Sequence, residues 1–369
     1  MSDQSPPALP AQTTIHQRNN LDFIRLFLAV LVIFSHSFPL VSTTSDFEPL
    51  DRLTRHGWDL GKEAVVGFFV ISGFLVSQSW VRTNNLTRFI EKRSLRIFPG
   101  YIAAVAMTIL LAVPAVGSIR PAWRALLVEG LTLQPLFDHS LLTTAPLRWY
   151  INGSIWTIRY EYYCYILVAA LGIAGLLNKR AIAVTLFVAS YGLTIAARIA
   201  SEHNKNFSIT GIGDLSAWAR FLPAFLAGVV WFHFAEVIRP RFWHVAGAIV
   251  ITVLLFRFGA RLAAEMLIPP TTVWANQYVA FHPRIRLHNF GRFGDFSYGT
   301  YLYAWPIQQV LLFRCPGVFN PWTLFLAAAP VSVVAGVASW YAVERPLLKL
   351  KAADYIRGRL RTAPIPNRS

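Results

Sequence analysis

NNLDFIRLFLAVLVIFSHSFPL, residues 19–40, is apolar and long enough to cross a bilayer, yet it carries Arg25 and His36. At about 100° per residue, the steps between them come to about three turns plus 20°, so both side chains leave one face of a helix about 16 Å apart along its axis. An ionisable group held at membrane depth costs roughly 3 kcal/mol or more unless it faces a polar cavity or a partner. One stripe of this helix therefore points into the protein, and both residues are candidates for function. The plainer alternative has Arg25 snorkelling to the near surface and His36 capping the far end.

The rest of the chain agrees with a membrane setting. Of its 369 residues 55% are hydrophobic and 14% charged, too few charges to coat a water-exposed surface of that size. The expected class is all-α and polytopic. The start lacks a basic n-region leading into a short apolar run and a small-residue cleavage site, so the first apolar segment reads as a retained span. Spans of about 20 residues fit near 22–42, 62–81, 96–116, 150–176, 181–199, 215–236, 243–260, 262–281, 296–314 and 321–344. Ten crossings put both termini on one side. The eighth span, interrupted by Pro269, Pro270, Asn276 and Gln277, reads as either a crossing or a broken, re-entrant helix.

A net charge of +16 would suggest nucleic acid in a soluble protein, but here Lys and Arg gather in alternate loops. Arg82, Arg88, Lys92, Arg93, Arg96, Lys179, Arg180, Arg239, Arg241, Arg284, Arg286 and Arg292 fall on one side, together with a basic tail. Asp46, Glu48, Asp51, Glu63, Asp138, Glu202 and Asp214 fall on the other. The positive-inside rule makes the first side, with both termini, cytoplasmic. Residues 1–17 read as a disordered start, 18–348 as one transmembrane domain and 349–369 as a basic cytoplasmic tail. Two cysteines, Cys164 and Cys315, allow no disulfide framework or thiolate site. The histidines show no metal-ligand spacing.

Four further segments carry polar chemistry. Gly67, Ser72, Gly73 and Ser77 in the second span let a helix or an extended ligand approach closely. Arg88, Lys92, Arg93 and Arg96 recur at the start of the third span, a basic face suited to the phosphates of coenzyme A or to anionic lipid headgroups. The fourth places Glu161 among Trp156, Tyr160, Tyr162, Tyr163 and Tyr165. A carboxylate there needs a partner; His36 and Arg25 are the economical candidates, because Arg159, two residues away, does not share its helix face. The ninth brings Asp295, Ser297, Tyr298, Tyr301, Gln308 and Gln309; Tyr and Trp at such depths also form interfacial belts with no role in chemistry.

In this order the segments resemble the membrane-bound acyltransferase 3 family over about residues 18–348. The resemblance rests on Arg25 and His36, the Phe-Phe-x-Ile-Ser-Gly-Phe-Leu stretch at 68–75, the Arg-x-x-Arg-Ile-x-Pro segment from Arg93 to Pro99, Trp156 to Glu161, Ser297 to Leu302, and Glu-Arg-Pro at 344–346. Many relatives carry a His two residues before the proline of the ninth span. Here that position is Ala304, so no shuttle role can fall to it. No esterase-like domain follows the last span, as it does in some relatives.

The resemblance implies a bacterial inner-membrane enzyme that moves an acyl group, acetyl foremost, from acyl-coenzyme A to a hydroxyl of a carbohydrate or lipid-linked acceptor. No cofactor is held permanently, and neither nucleic acid nor metal is involved. Arg93 and Arg96, with Arg88 and Lys92, would receive the donor's phosphates. Arg25 would hold a donor phosphate or polarise the thioester. His36 would act as general base or carry the acyl group, with Glu161 orienting it, and Trp156, Tyr298 and Tyr301 would line the acceptor's path. A transporter or flippase with a polar midplane site equally accounts for buried Arg, His and Glu; a non-catalytic receptor or assembly factor gives the motifs no purpose.

Overall fold

The structure is a computed structural model that describes residues 19–44, 47–116, 133, 136–137, 150–203, 205, 207–209 and 212–349. The polar start, the basic tail beyond Lys349, Asp46 and Asp138 lie outside the described residues. The first helix, α1 (Leu21–Ser42), is followed by a short α2 (Pro49–Leu53), then α3 (Leu60–Thr83) and α4 (Leu86–Val116). Next come α5 (Ile158–Ile173), α6 (Arg180–Glu202), α7 (Leu215–Phe234) and α8 (Phe242–Arg257). The last three are α9 (Arg261–Phe281), α10 (Ser297–Arg314) and α11 (Pro321–Ser339), which continues through a π-helical turn at Trp340–Glu344. Two small antiparallel ladders, Leu136–Phe137 with Tyr150–Asn152 and Ser208–Ile209 with Gly213–Asp214, are the β-structure among the described residues.

Six helical segments are long and apolar enough to cross a membrane: Leu21–Ser42, Leu60–Thr83, Leu86–Leu110, Arg180–Glu202, Leu215–Phe234 and Pro321–Lys349. This is fewer than the ten crossings expected. The other four fall short for two separate reasons. With 16 residues each, α5 and α8 span about 24 Å at 1.5 Å per residue, less than the roughly 30 Å hydrocarbon core. Helices α9 and α10 are longer but rich in polar side chains. The span expected at 150–176 is really a strand, a 3-10 turn at Ile155–Thr157 and then α5, so Trp156 sits ahead of the helix.

The prolines of α9 do not break it. Pro270 has no N–H for the carbonyl of Met266, and the Tyr191 hydroxyl donates to that oxygen instead at 2.6 Å. Asn276 and Gln277 are buried and bonded, the first to the Gly67 carbonyl at 3.4 Å and the second to the Ala235 carbonyl at 3.0 Å. Such replacement partners keep a proline-containing helix intact where water is scarce.

Contacts at the helix ends fix their sense. One end of the bundle, the near face, gathers Asn20, whose N–H donates to the Ala280 carbonyl, with Arg25, Arg96, Asp295 and Glu344. The far face gathers Leu40, Leu324 and the capped segment around Glu48 and Trp58. Helix α1 starts, and α11 ends, at the near face.

Helix α3 is the hub, touching α1, α4, α5, α7 and α9. Its crossing with α7 is backbone on backbone: a Cβ at Gly73 would stand 2.0 Å from the Phe225 carbonyl oxygen, and one at Gly228 would stand 2.1 Å from that of Val70. Phe69 stacks on Phe221 and Phe74 on Trp231 beside this point, each pair at 4.4 Å. Gly299 and Gly336 make the same kind of crossing between α10 and α11. In lipid, where apolar surface alone does not drive helices together, such close approach supplies the packing energy. Backbone cannot yield as a side-chain tip can, so Gly73→Leu is expected to cost at least about 3 kcal/mol, the upper range for overpacking. Thermal unfolding of detergent-purified protein checks this, with Gly247→Ala, where a Cβ meets nothing within 4 Å, leaving the transition in place.

Candidate active site

A partly open cavity lies between α1, α3, α4, α5 and α10; Arg25, Ser72, Arg93, Arg96, Glu161 and Tyr298 are among its walls. Its near-face floor is ionic. Asp295, just ahead of α10, accepts from both Arg25 and Arg96, and from the Ser297 hydroxyl at 2.5 Å. Burial alone would raise this carboxyl; the two guanidiniums and the serine outweigh it and hold it at about 2. Because that value lies below the unfolded one, the stabilisation it gives is complete above about pH 4 and fades only as pH falls toward 2. Glu344, buried in the π turn, stands 4.0 Å from Arg96 and accepts from the Ser339 hydroxyl.

Arg93 is held differently. It donates to the Ser79 hydroxyl at 3.1 Å and lies 5.7 Å from the Tyr165 ring centroid and 6.0 Å from that of Phe89. Its Nε is buried without a hydrogen-bond partner, and among the described residues no carboxylate stands within ion-pair distance of it. The four basic residues expected on one face are therefore divided. Arg93 and Arg96 line the cavity, whereas exposed Arg88 lies at the start of α4 and Lys92 reaches outward to the Thr83 hydroxyl. A step of 100° between Lys92 and Arg93 is enough to put neighbours on different sides of a helix.

Glu161 takes its hydrogen bonds from the Tyr165 hydroxyl at 2.5 Å and the Ser72 hydroxyl at 3.2 Å. The expected bond from His36 or Arg25 is not made; a tyrosine one turn along the same helix is closer than either. Arg25 and Glu161 nevertheless face the same space. Tyr298 donates to the Ile97 carbonyl at 3.0 Å with the Arg96 guanidinium over its ring, and Tyr301 shares a 2.9 Å hydrogen bond with Thr157 while Phe68 meets its ring edge-on. Trp156 packs away from the cavity on Tyr160 and Phe221.

Arg25 and His36 both turn toward α10, as their spacing requires, but into different surroundings. Arg25 reaches Asp295, and the His36 ring stands edge-on to Trp305 with centroids 4.8 Å apart. Its Nδ1 is buried without a hydrogen-bond partner. Neither His36 nor Trp305, one turn beyond Tyr301 on the same face of α10, is a wall of the cavity. Gln308 fixes this part of α10 to α1 by donating to the Ile33 carbonyl at 2.9 Å and the Ser37 hydroxyl at 2.8 Å. On its other side Asn152 ties α10 to α4, donating to the Leu302 carbonyl and the Thr108 hydroxyl at 3.1 Å each. Ala304 is buried. No cluster of three or more His, Cys, Asp or Glu side chains suited to a metal occurs among the described residues.

Sequence reasoning gave Asp295, Glu344, Ser72 and Tyr165 no ionic or hydrogen-bonding role. An acidic residue one or two positions before a span, opposite an arginine that needs a counter-ion, is the signal that could have found Asp295.

Fold and cavity together define a multi-pass membrane protein with an arginine-lined site enclosed by its helices. A family model described as an acyltransferase domain matches residues 18–341. An O-acetyl transferase of Shigella phage Sf6 is 27% identical over 350 residues, covering 90% of this chain and 97% of that protein. Nodulation protein 10 of Rhizobium leguminosarum bv. viciae is 27% identical over 364 residues, covering 91% and 95%. No solved structure matches. The chain belongs to the acyltransferase 3 family and is a membrane acyltransferase.

The ionic floor makes a quantitative demand. Asp295→Ala leaves two guanidiniums facing each other and should cost about 3–5 kcal/mol, whereas replacing the group together (Arg25→Met, Arg96→Met, Asp295→Leu) should restore most of that stability. Thermal unfolding of the wild type and the two variants in detergent tests this, and acyl transfer should be absent in the stabilised triple variant.

Proposed function

We propose that this enzyme transfers an acetyl group from acetyl-coenzyme A, received at the near face, to a hydroxyl of a carbohydrate or lipid-linked acceptor. The observation that carries this reading is the convergence of Arg25, Arg93 and Arg96 on one cavity, with a guanidinium at Arg93 left without an anion. The name of the phage relative, an O-acetyl transferase, supports acetyl as the group transferred.

In this reading the chain crosses a bacterial inner membrane ten times, α2 lying at the far face and the short α5 and α8 counted as crossings. Support comes from the alternating sense of the helices and from charge: Arg82, Arg88, Lys92, Lys179, Arg180, Arg239, Arg284, Arg286, Arg345 and Lys349 belong to near-face ends and turns. Both termini are then cytoplasmic, and the donor reaches Arg93 and Arg96 from the compartment that holds it.

Arg93 takes a donor phosphate, because a guanidinium with free donors in a confined site is suited to bidentate binding of an oxyanion. Arg96 and Arg25, tied to Asp295, hold further guanidinium donors at fixed positions beside it. Arg25, tied to Asp295 at the near face, holds a second donor phosphate oxygen, while the thioester carbonyl has to reach further along α1 to meet the acceptor hydroxyl at His36. Glu161 acts through Tyr165, whose ring underlies Arg93, and is a positioning residue. His36, about 16 Å further along α1, takes the proton from the acceptor hydroxyl or carries the acetyl group. Movement of Tyr301 and Trp305 joins the cavity to it.

His36→Ala should lower transfer of radiolabelled acetyl groups by about 100-fold or more, the usual contribution of a general base, and Glu161→Gln by a smaller factor, with both proteins folding normally. Acetylation at the wild-type rate in His36→Ala would refute the assignment. Uptake of solute by reconstituted protein without consumption of acetyl-coenzyme A would favour transport instead.

A further inference from the structure

A second polar cavity, ≈ 250 Å³, opens toward the far face between α3, α6, α7 and α9, with Trp58, Arg198, Ser201, Ser216, Arg220 and Glu265 in its walls. It is separate from the first cavity and from the acyl-donor end of the molecule. Its cations are not equivalent. Arg198 is engaged, at 3.2 Å from Glu202 and 3.9 Å from Glu265. Arg220, half-buried near the start of α7, lies 5.6 Å from the Trp58 ring centroid and 5.9 Å from that of Phe221. Among the described residues it has no hydrogen-bond acceptor and no carboxylate within ion-pair distance.

A guanidinium held against two aromatic rings is oriented but not neutralised. Cation–π contact of this kind is worth about 0.5–2 kcal/mol, less than a desolvated guanidinium gains from a bidentate oxyanion. An arginine that served only to meet water or headgroups would extend its long side chain outward; this one lies over Trp58, inside the cavity. The residue after Trp58 links the place to the reaction. Asp59 caps α3, accepting from the Lys62 N–H at 2.7 Å, and its carboxylate and the Ser35 side chain of α1, next to His36, both pack against the face of Gly61.

We infer that this cavity is the acceptor's recognition site and that Arg220 binds an anionic group, carboxylate or phosphate, carried by the acceptor whose hydroxyl is offered to His36. The acceptor is accordingly an acidic saccharide, such as one bearing a uronic acid or a phosphate ester, rather than a neutral one. This rests on the acyl-transfer reading for the word acceptor, but the binding event does not need the donor.

The test is therefore run without acetyl-coenzyme A. Protein in nanodiscs of phosphatidylcholine is titrated with methyl glucuronoside, methyl glucoside and inorganic phosphate by calorimetry, and the series is repeated with phosphatidylglycerol added. Glucuronoside and phosphate should bind, with glucoside at least tenfold weaker. Arg220→Gln should lose the preference, Arg220→Lys should retain part of it, and Glu265→Gln, which removes the cavity's own anion, should tighten glucuronoside binding severalfold, a gain that a damaged fold would not produce. Equal binding of glucoside and glucuronoside, or an unchanged preference in Arg220→Gln, would overturn the proposal. So would a dependence on Arg220 seen only for phosphatidylglycerol, because the anion would then be a lipid headgroup. Anion binding without any acetylation would count against the reaction and not against this site.

Discussion

Two guanidiniums on one carboxylate hold the near end of this bundle together. Arg25 comes from α1, Arg96 from α4, Asp295 from the turn before α10 and Glu344 from the end of α11. Removing all of these charges from water is expensive, and net stability is not what the arrangement contributes, because apolar replacements of similar volume usually do as well or better. What it fixes is position. Four elements meet at one point with their charges paired, and the cavity wall rises from that point.

The same economy runs up the cavity. Glu161, Tyr165 and Ser72 satisfy one another, and by doing so place an aromatic face under Arg93. The arginine with no carboxylate of its own is therefore the best supported by neutral groups. Small residues do the complementary work at the centre: Gly73 against Gly228 brings α3 and α7 to backbone contact, which leaves the other side of α3, with Ser72, free to face the cavity.

Much of this was legible beforehand. The stripe on α1 followed from the spacing of Arg25 and His36, and both do turn to α10, because a helix has only one period. The basic segment at 88–96 was recognisable as an edge suited to phosphates or headgroups, and the carboxylate at 161 as a group too costly to bury without a partner. What could not be read was which charges meet. Asp295 and Arg25 are 270 positions apart, and nothing local in either segment names the other. The expected Glu161–His36 contact failed because Tyr165, one helical turn away, offers a hydroxyl at lower cost in chain geometry. Helix lengths failed for a related reason: apolar composition continues upstream of α5, while the chain there is a strand and a 3-10 turn held by Asn152.

Occupancy of the Arg93 cavity by the donor is the claim from which the chemistry follows. It is tested most directly by single cysteines in a protein whose Cys164 and Cys315 have been replaced by alanine, with Leu75→Cys in the wall of that cavity and Ser216→Cys in the wall of the second. Acetyl-coenzyme A should slow maleimide labelling of Leu75→Cys several-fold and leave Ser216→Cys unaffected. Equal labelling of Leu75→Cys with and without the donor would contradict the account.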